Sequence, residues 1–428
     1  MTAADLSFLP EKLRTQLGEI GHADILMGIP SYNNARTIGH VVRAVQAGLA
    51  RHFPHQRAVL LNSDGGSTDG TPQVVQEASA PSHDTILARH PLRPVHRIVT
   101  PYHGLPGKGS ALRTVFGAAV ALSAKACAVV DADLRSITPE WVELLLQPVL
   151  ANGFDFIAPL YHRHKYDGTI TNSIVYPLTR ALYGVRVRQP IGGDFGFSGR
   201  LAHHYLEHDV WFSDVARFGI DIWMTTTAIT GGFRIGQAFL GAKIHDAKDP
   251  SVDLSAMLAQ VTGSVFALME EHAARWATVR GSNPVPVFGF EYAVGLEPVR
   301  VNLGRMLERF RGAVRELEEI LSLALAKDTW HAVRQLAARG DDHFTYPPEL
   351  WVRTVYDFAA AHHHRSLHRD LLLRALTPLY LGRTAAFVIQ MEHADAAEVE
   401  AALEELCLAF ERDKPYLVHR WKNREDPP

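Results

Sequence analysis

A short apolar run that ends in two carboxylates constrains the fold of this chain more than any other feature. Residues 127–130 are apolar and read as a buried strand, and Asp131 and Asp133 follow with Ala132 between them. In open α/β sheets, ligands bind at the carboxyl ends of the strands. Two acids separated by one small residue can both turn toward a hard divalent cation and the phosphate oxygens that it binds. An isolated Asp-x-Asp is equally well explained as a polar strand end with Asp131 capping a turn, so the pair needs partners elsewhere in the chain.

Composition narrows the class of partner. The 428 residues carry 43 Lys and Arg against 46 Asp and Glu, a formal net charge of -3. A chain with nearly balanced charges lacks the basic surface that nucleic-acid binding requires. It also has no polybasic segment that would bind a membrane surface. Cys127 and Cys407 lie far apart in apolar segments, which argues against a disulfide framework. No signal peptide is recognisable, and the longest apolar stretch, 116–131, is too short to span a bilayer. We expect a soluble, cytoplasmic protein.

The order of apolar segments predicts the fold class. Up to about residue 250, short buried strands at 24–30, 58–62, 98–99, 127–130 and 154–159 alternate with helical segments. This alternation predicts an α/β domain with a mainly parallel sheet. Beyond it, apolar residues recur at helical spacing in 255–279, 301–325, 349–361, 371–392 and 396–412. We therefore predict two domains, residues 1–250 with the sheet and residues 251–428 mostly helical.

Polar, glycine-containing loops follow the first three strands. Pro30 and Tyr32 stand at the end of the first strand, and Asp64 opens the loop 63–71 after the second. Gly107 and Lys108 lie in a glycine-rich loop that begins a helix, where a lysine suits a diphosphate. This is not a Walker loop, because glycine follows Lys108. Asp64 is equally well explained as part of a turn with an N-cap at Ser67 or Thr71.

The middle of the chain adds further candidates. Gly192 and Gly193 precede Asp194, and Asp221 stands at the start of a predicted helix, where an N-cap would explain it as well. His245 lies just beyond a strand, where its imidazole could complete a metal site with Asp133. With 23 histidines in the chain, only the combination argues for ligation.

The loop after the fifth strand has the chemistry of a carboxylate site. Arg163, Thr169 and Thr171 supply one guanidinium and two hydroxyls, which suit a small carboxylate-bearing acceptor. The alternative is that these are ordinary polar residues of a solvent-exposed loop and bind no ligand.

In this order the motifs resemble a known family. Pro-Ser-Tyr-Asn-Asn, Asp-Gly-Gly-Ser-Thr-Asp-Gly-Thr, Gly-Lys-Gly, Asp-Ala-Asp, Gly-Gly-Asp, Gly-Ile-Asp and a late histidine together resemble the GT-A-type nucleotide-sugar glycosyltransferases. Within them the chain looks most like the retaining enzymes that make mannosylglycerate, glucosylglycerate and glucosyl-3-phosphoglycerate. The resemblance covers residues 24–250.

The resemblance implies a role for each candidate. Asp133 and His245 are expected to bind Mg²⁺ or Mn²⁺, Asp64 the nucleotide base and Asp221 the sugar hydroxyls. Asp131 and Asp221 are the expected catalytic residues, and Arg163, Thr169 and Thr171 the expected acceptor site. The expected donor-binding residues are Pro30, Tyr32, Asp64, Gly107, Lys108, Asp131, Ala132, Gly192, Gly193, Asp194 and Asp221.

The function implied is a metal-dependent retaining transfer of glucose or mannose from a UDP- or GDP-hexose to a small hydroxy acid such as D-glycerate. The same transfer to 3-phosphoglycerate and an inverting transfer to a glycan are the enzymatic alternatives. A sugar-phosphate nucleotidyltransferase would need a basic residue after the first strand, but residues 31–34 there are Ser-Tyr-Asn-Asn. A catalytically dead scaffold acting through its helical half is the alternative outside enzymes. We expect no nucleic-acid or membrane partner, and a homodimer is left open.

Overall fold

A computed structural model describes residues 5–78, 96–101, 107–244, 254–292, 294–340 and 344–424 of the chain. Residues 1–162, 188–246 and 285–296 belong to a first compact unit, and residues 163–187, 247–284 and 297–428 to a second. This grouping reflects contacts between residues and not independent folding, so the domain boundary at residue 250 stays a prediction.

The secondary structure alternates early and is helical late. The strands are β1 (Ile25–Ser31), β2 (Ala58–Asp64), β3 (His96–Pro101), β4 (Ala126–Val129), β5 (Phe156–His162), β6 (Val185–Arg186), β7 (Phe195–Ser198), β8 (Ile235–Ala242), β9 (Asn283–Pro284) and β10 (Val287–Phe288). The helices up to the last strand are α1 (Glu11–Ile20), α2 (Ile38–His52), α3 (Thr71–Ala78), α4 (Lys108–Ala121), α5 (Pro139–Asn152), α6 (Tyr176–Tyr183), α7 (Gly199–Leu206), α8 (Ile220–Thr230), α9 (Ser255–Glu271) and α10 (Ala273–Trp276). Those after it are α11 (Leu303–Glu316), α12 (Glu318–Ala324), α13 (Lys327–Ala337), α14 (Pro348–His363), α15 (Arg369–Gln390), α16 (Ala396–Arg412) and α17 (Lys414–Lys422). A π-helix spans Thr171–Val175 and a 3₁₀ turn spans Asp214–Ala216.

The first unit is built on an eight-stranded sheet with the order β10-β8-β5-β7-β4-β1-β2-β3. Its strand pairs are parallel except those of β7, which runs antiparallel to both β4 and β5. The predicted α/β class with a mainly parallel sheet is thus confirmed. The antiparallel strand in its middle was not predicted.

Continuous burial explains why these segments form the centre of the sheet. Every residue of β1, β2 and β4 is buried, as expected for parallel strands covered on both faces. Helices α2 and α5 pack close together where Gly48 meets Val142, and a β-carbon at Gly48 would lie 2.7 Å from the Cβ of Val142. Because β1, β2, β4, β5 and β8 run in the same direction, their carboxyl ends share one edge of the sheet.

The second unit is helical and contains buried ion pairs. The guanidinium of Arg180 in α6 is fully buried and binds Glu404 and Glu411 of α16. Asp357 of α14 is also fully buried and accepts hydrogen bonds from the Tyr416 hydroxyl and the Arg420 guanidinium of α17. The predicted helical carboxyl-terminal part is confirmed, although α13 and α17 were not predicted.

One helix of this unit, α15, is long and apolar enough to cross a membrane by length and composition. Within its most apolar window, 72% of the residues are buried inside the structure. A core helix of a soluble protein passes the same test.

Candidate functional site

A cluster of two lysines and three aspartates lies at the carboxyl edge of the sheet in the first unit. Lys108 Nζ, at the start of α4, donates to Asp131 Oδ1 at 2.8 Å. Lys243 Nζ, directly after β8, donates to the other carboxylate oxygen of Asp131, also at 2.8 Å. Asp131 is therefore clamped between two ammonium groups and has one defined orientation.

Asp194 forms the buried base of the cluster. Its carboxylate is fully buried and accepts from Lys243 Nζ at 2.7 Å and from the backbone N–H of Asp131 at 2.8 Å. The Tyr161 hydroxyl of β5 donates to the same oxygen as Lys243. Three hydrogen bonds to one buried carboxylate fix the turn after β4 against the loop before β7.

Asp221 completes the cluster from the first turn of α8. Lys108 Nζ lies 3.3 Å from Asp221 Oδ2 and 3.4 Å from the carbonyl oxygen of Gly193. The N-cap of α8 is Gly219 and not Asp221, so capping does not explain this acid. Its carboxylate instead faces the ammonium group of Lys108.

The charges of the cluster determine the protonation of its members. Burial alone would raise the pKa of Asp131, but Lys108 and Lys243 hold it well below its usual range. Burial would lower the pKa of Lys108, but Asp131 and Asp221 raise it above its ordinary value. Asp221 differs, because burial raises its pKa further than Lys108 lowers it. The cluster thus keeps Lys108 charged and Asp131 ionised.

Two glycines are required by the close packing around these charges. A β-carbon at Gly193, which has φ +90°, would lie 2.3 Å from Asp131 Oδ2. A β-carbon at Gly109 would lie 1.9 Å from the carbonyl oxygen of Val215. Substitution of Gly193 would push the Asp131 carboxylate from its place between the lysines, and substitution of Gly109 would displace the first turn of α4.

The remaining predicted glycines also lie at this edge. Gly107 is the N-cap of α4, and the carbonyl oxygen of Gly192 accepts a hydrogen bond from Lys243 Nζ at 2.8 Å.

The loops after β1 and β2 interlock beside the cluster. Asp64 accepts hydrogen bonds from the N–H groups of Gly66 and Ser67 and from the hydroxyls of Ser31 and Ser67. Its carboxylate therefore stabilises its own turn, as the structural interpretation of this residue predicted, and its contact with a base stays a prediction. Pro30 is buried in β1, whereas 63% of Tyr32 is exposed.

The predicted metal ligands are only partly described. Asp133 lies in the turn after β4, and the carbonyl oxygen of Ala132 accepts from the Thr37 hydroxyl at 2.8 Å. His245 lies outside the described residues, but Ile244 before it is hydrogen-bonded to Arg135 and to Ser136. The segment that leads to His245 thus reaches the turn that carries Asp133. In the described part of the chain, no group of three or more His, Cys, Asp or Glu residues could hold a metal ion.

The predicted acceptor residues belong to the second unit. Arg163 Nη1 lies 3.4 Å from Asp167 Oδ2, and the Thr169 hydroxyl is hydrogen-bonded to the Tyr380 hydroxyl at 2.5 Å. Thr171 was predicted in a loop but begins the π-helix and is mostly buried. Their role in acceptor binding stays a prediction.

Sequence reasoning missed two members of the cluster, Lys243 and Tyr161. Tyr161 lies in an apolar strand and looks like a core residue. Lys243 directly follows β8, so the rule that polar residues at strand ends face the ligand would have found it.

Comparison with known proteins finds a family model that matches the part of the chain containing Lys108, Asp131 and Asp194. The family model of glycosyl transferase family 2 matches residues 27–201. This match confirms the prediction of a nucleotide-sugar glycosyltransferase domain. No curated protein matches the chain.

Solved structures with a similar course of the chain include glucosyl-3-phosphoglycerate synthase from Mycobacterium tuberculosis. In complex with Mn²⁺, uridine diphosphate and phosphoglyceric acid it has 21% identity and a TM-score of 0.42, over 59% of this chain and 82% of that one. In complex with Mn²⁺, uridine-diphosphate-glucose and phosphoglyceric acid it has 20% identity and a TM-score of 0.42, over 62% and 85%. A structure described as a mycobacterial protein has 20% identity and the same TM-score, over 61% and 79%.

Proposed function

We propose that this protein is a cytoplasmic, metal-dependent, retaining hexosyltransferase, and the match of residues 27–201 to the family model of glycosyl transferase family 2 supports this proposal. It would move glucose or mannose from a nucleoside-diphosphate sugar to a small hydroxy acid such as D-glycerate. The observation that carries the proposal is the cluster of Lys108, Asp131, Lys243, Asp194 and Asp221 at the carboxyl edge of the sheet.

The diphosphate of the donor would lie at the start of α4. The first backbone N–H groups of a helix have no partner within the helix, and together with the helix dipole they favour an anion. Lys108 is the first residue of this 14-residue helix and is held in its charged form by Asp131 and Asp221. A fixed ammonium group beside a helix amino terminus suits the charge of a diphosphate leaving group.

The nucleoside would lie beside Tyr32 and the loop that Asp64 holds in place. Tyr32 is an exposed aromatic side chain at the carboxyl end of β1, next to the first turn of the loop after β2. An aromatic ring in this position can stack on uracil or on guanine, so Tyr32 does not indicate whether the donor is a UDP-sugar or a GDP-sugar.

Replacing Tyr32 tests this placement. Tyr32→Ala is expected to weaken nucleoside diphosphate binding by about 1–3 kcal/mol, the range found when an aromatic side chain that stacks on a base is truncated. Calorimetric titration with UDP and with GDP measures the effect, and Phe212→Ala removes a similarly exposed aromatic residue as a control. Unchanged affinity for both nucleotides would place the base elsewhere.

The residues present fit a hard divalent cation as far as they are described. Asp133 is an oxygen ligand at a strand end, and the segment before His245 reaches the same turn. We propose Asp133 and His245 as the residues that would hold Mg²⁺ or Mn²⁺. The bound cation would supply Lewis-acid stabilisation of the charge on the departing nucleoside diphosphate.

The side chains of the cluster suit a transfer with retention. Asp131 is committed to two lysines, and Asp221 is buried with its pKa raised, so neither has the character of a nucleophile. We propose that Asp221 accepts hydrogen bonds from the sugar hydroxyls and that Lys108 faces the diphosphate. The acceptor hydroxyl would attack on the side of the leaving group, and a phosphate oxygen of the donor would take its proton.

A carboxylate-bearing acceptor is proposed from the segment that follows β5. Lys165, the nearest further cation in the sequence, donates to the carbonyl oxygens of Met391, Glu392 and Ala394 at 2.6, 2.9 and 3.1 Å. All three of its N–H donors are thus used within the second unit. This supports glycerate over 3-phosphoglycerate, because Lys165 would have to break these bonds to hold a phosphate.

Arg163 is the proposed clamp for the acceptor carboxylate. Arg163→Lys is expected to lower kcat/KM for glycerate about tenfold or more, because lysine cannot make two parallel hydrogen bonds to a carboxylate. Hydrolysis of the sugar nucleotide without acceptor should continue, since the donor residues are unchanged. Assaying transfer and hydrolysis separately checks this, with Arg353→Lys as a control on α14. Normal transfer to glycerate by the variant would exclude the clamp.

The proposed function is tested by a direct screen. UDP- and GDP-linked glucose and mannose are incubated with D-glycerate or 3-phosphoglycerate and with Mg²⁺ or Mn²⁺, and release of nucleoside diphosphate is followed. Transfer to glycerate with retained configuration is the expected result. Transfer only to a glycan with inverted configuration would favour the inverting alternative. Absence of metal-dependent donor binding by calorimetry would favour a scaffold.

A further inference from the structure

A small cavity inside the second unit is lined by one guanidinium and several uncharged polar groups. The cavity has a volume of about 20 Å³, and roughly 10–15 Å³ is enough for one water molecule. Its polar lining consists of Thr169, Asn172, Ser173, Arg383 and Thr384. The other described lining residues are apolar, so no carboxylate faces the cavity.

Arg383 of α15 is a buried cation without a counter-ion in the part of the chain that the structure describes. Only 5% of the residue is exposed, and its Nη1 donates to the carbonyl oxygen of Tyr346 at 2.8 Å. Among the described residues no carboxylate forms an ion pair with it, and Glu405 and Glu349 act on it only at longer range. Arg180 of the same unit is also buried, yet it is neutralised by Glu404 and Glu411.

Burial of an uncompensated charge is costly, and this cost is visible at Arg383. Desolvation lowers the pKa of Arg383 to about 10. A buried charge is normally paired in proteins, and a guanidinium has five N–H donors to satisfy. One carbonyl oxygen uses one of them, so the site calls for a further acceptor that carries negative charge.

The hydroxyl of Thr384 is an independent indication of a ligand. Thr384 follows Arg383 on α15, and its buried Oγ1 lies near the Tyr380 hydroxyl one helical turn earlier but makes no hydrogen bond of regular geometry among the described atoms. Buried hydroxyls are rarely left unpaired. Two neighbouring side chains with unused hydrogen-bonding capacity thus line the same cavity.

A break in regular helical geometry forms another part of the cavity wall. Asn172 and Ser173 lie in the π-helix Thr171–Val175. The carbonyl oxygen of Ser173 accepts a hydrogen bond from the indole N–H of Trp351 at 2.8 Å. Short π-helical segments are rare and occur often at functional sites.

We propose that this cavity binds a small monovalent anion of the size of chloride or bromide, held by the Arg383 guanidinium and the Thr384 hydroxyl. The volume is sufficient for a single halide. The anion would neutralise Arg383 and stabilise the helical unit. The cavity shares Thr169 with the proposed acceptor site, but Arg383 and Thr384 have no part in the proposed transfer, so the anion site does not rest on the proposed function.

Thermal unfolding of the full chain tests the site. Sodium bromide is titrated against sodium methanesulfonate at constant ionic strength, so that only the anion changes. Above the dissociation constant, Tm should rise by roughly 1–2 °C for each tenfold increase in bromide. Arg383→Met should remove this dependence, whereas Arg374→Met, an exposed arginine on the same helix, should retain it.

Diffraction from crystals grown in bromide locates the anion directly. An anomalous peak beside the Arg383 guanidinium is expected, and Thr384→Val should weaken it while preserving the shape of the side chain. The diffraction experiment still tests the proposal if Arg383→Met does not fold. Equal Tm values in the two salts, a bromide effect that persists in Arg383→Met, or water alone in the cavity would each overturn the proposal.

Discussion

Replacing Lys243 by methionine is expected to lower the free energy of unfolding by about 3–5 kcal/mol, the usual cost of removing one partner from a buried ion pair. Only 4% of the lysine side chain is exposed, and it lies between Asp131 and the fully buried Asp194. Without the ammonium group, the buried carboxyl of Asp194 is left with two neutral hydrogen-bond donors, the Tyr161 hydroxyl and the backbone N–H of Asp131. Chemical denaturation measures the loss.

The same substitution is expected to lower kcat by about 10²–10³-fold, the effect of losing one fixed charged or polar group in a preorganised site. Lys243 holds one oxygen of Asp131 while Lys108 holds the other, so its removal frees the Asp131 carboxylate to rotate. Lys125→Met is the control. Lys125 is largely exposed and pairs with Asp24 at 2.9 Å, and loss of such a surface pair should cost at most about 1 kcal/mol.

A double-mutant cycle separates the structural from the catalytic part of this effect. In Lys243→Met with Asp194→Asn, the buried charge is removed but the acceptor for the backbone N–H of Asp131 remains. The double variant should therefore be more stable than Lys243→Met alone, while its activity stays low. If the two substitutions were simply additive in stability, Lys243 and Asp194 would not be coupled. Near-normal transfer by Lys243→Met would remove Lys243 from the site.

The sequence predicted those parts of the fold and site that follow from local pattern. Continuous apolar runs located β1, β2 and β5 because strands of a parallel sheet are buried on both faces. The rule that ligands bind at carboxyl strand ends then selected Asp131, the glycine-rich loop at a helix start selected Lys108, and the Gly-Gly-Asp motif selected Asp194, and the structure brings these residues into contact. These predictions needed only the period of the pattern and the direction of the strands.

Other features depend on contacts between distant segments and could not be predicted in this way. Strand β7 has only four residues, and its pattern of apolar residues does not indicate that it runs antiparallel between β4 and β5. Tyr161 contacts the cluster only because Asp194, 33 residues later, is brought to its hydroxyl. The segment 163–172 was predicted as a polar loop, yet its last two residues lie in the π-helix and the segment belongs to the helical unit. Tertiary pairing decides these cases, and local propensity does not.

Removing the carboxylate of Asp133 should also cause a large loss of activity but, unlike removal of Lys243, little loss of stability. Asp133 is partly exposed in the turn after β4, whereas the strand itself is buried through Val130. Substitutions of this kind usually change the free energy of unfolding by less than about 0.5 kcal/mol. If Asp133 holds the divalent cation, Asp133→Ala should lower kcat/KM at least about 100-fold, since substitution of residues that only support a ligand already costs 10–100-fold.

Metal titrations distinguish loss of a ligand from loss of another function. For Asp133→Ala, the Mg²⁺ or Mn²⁺ concentration that gives half-maximal activity should rise sharply, and part of the activity should return at high metal. Asp370→Ala, at an exposed aspartate of α15, is the matched control and should titrate like the parent. An unchanged metal requirement would mean that Asp133 acts without the cation. Near-normal turnover at saturating metal would contradict the assignment altogether, because the carboxylate that follows Asp131 and Ala132 would then have no part in the reaction.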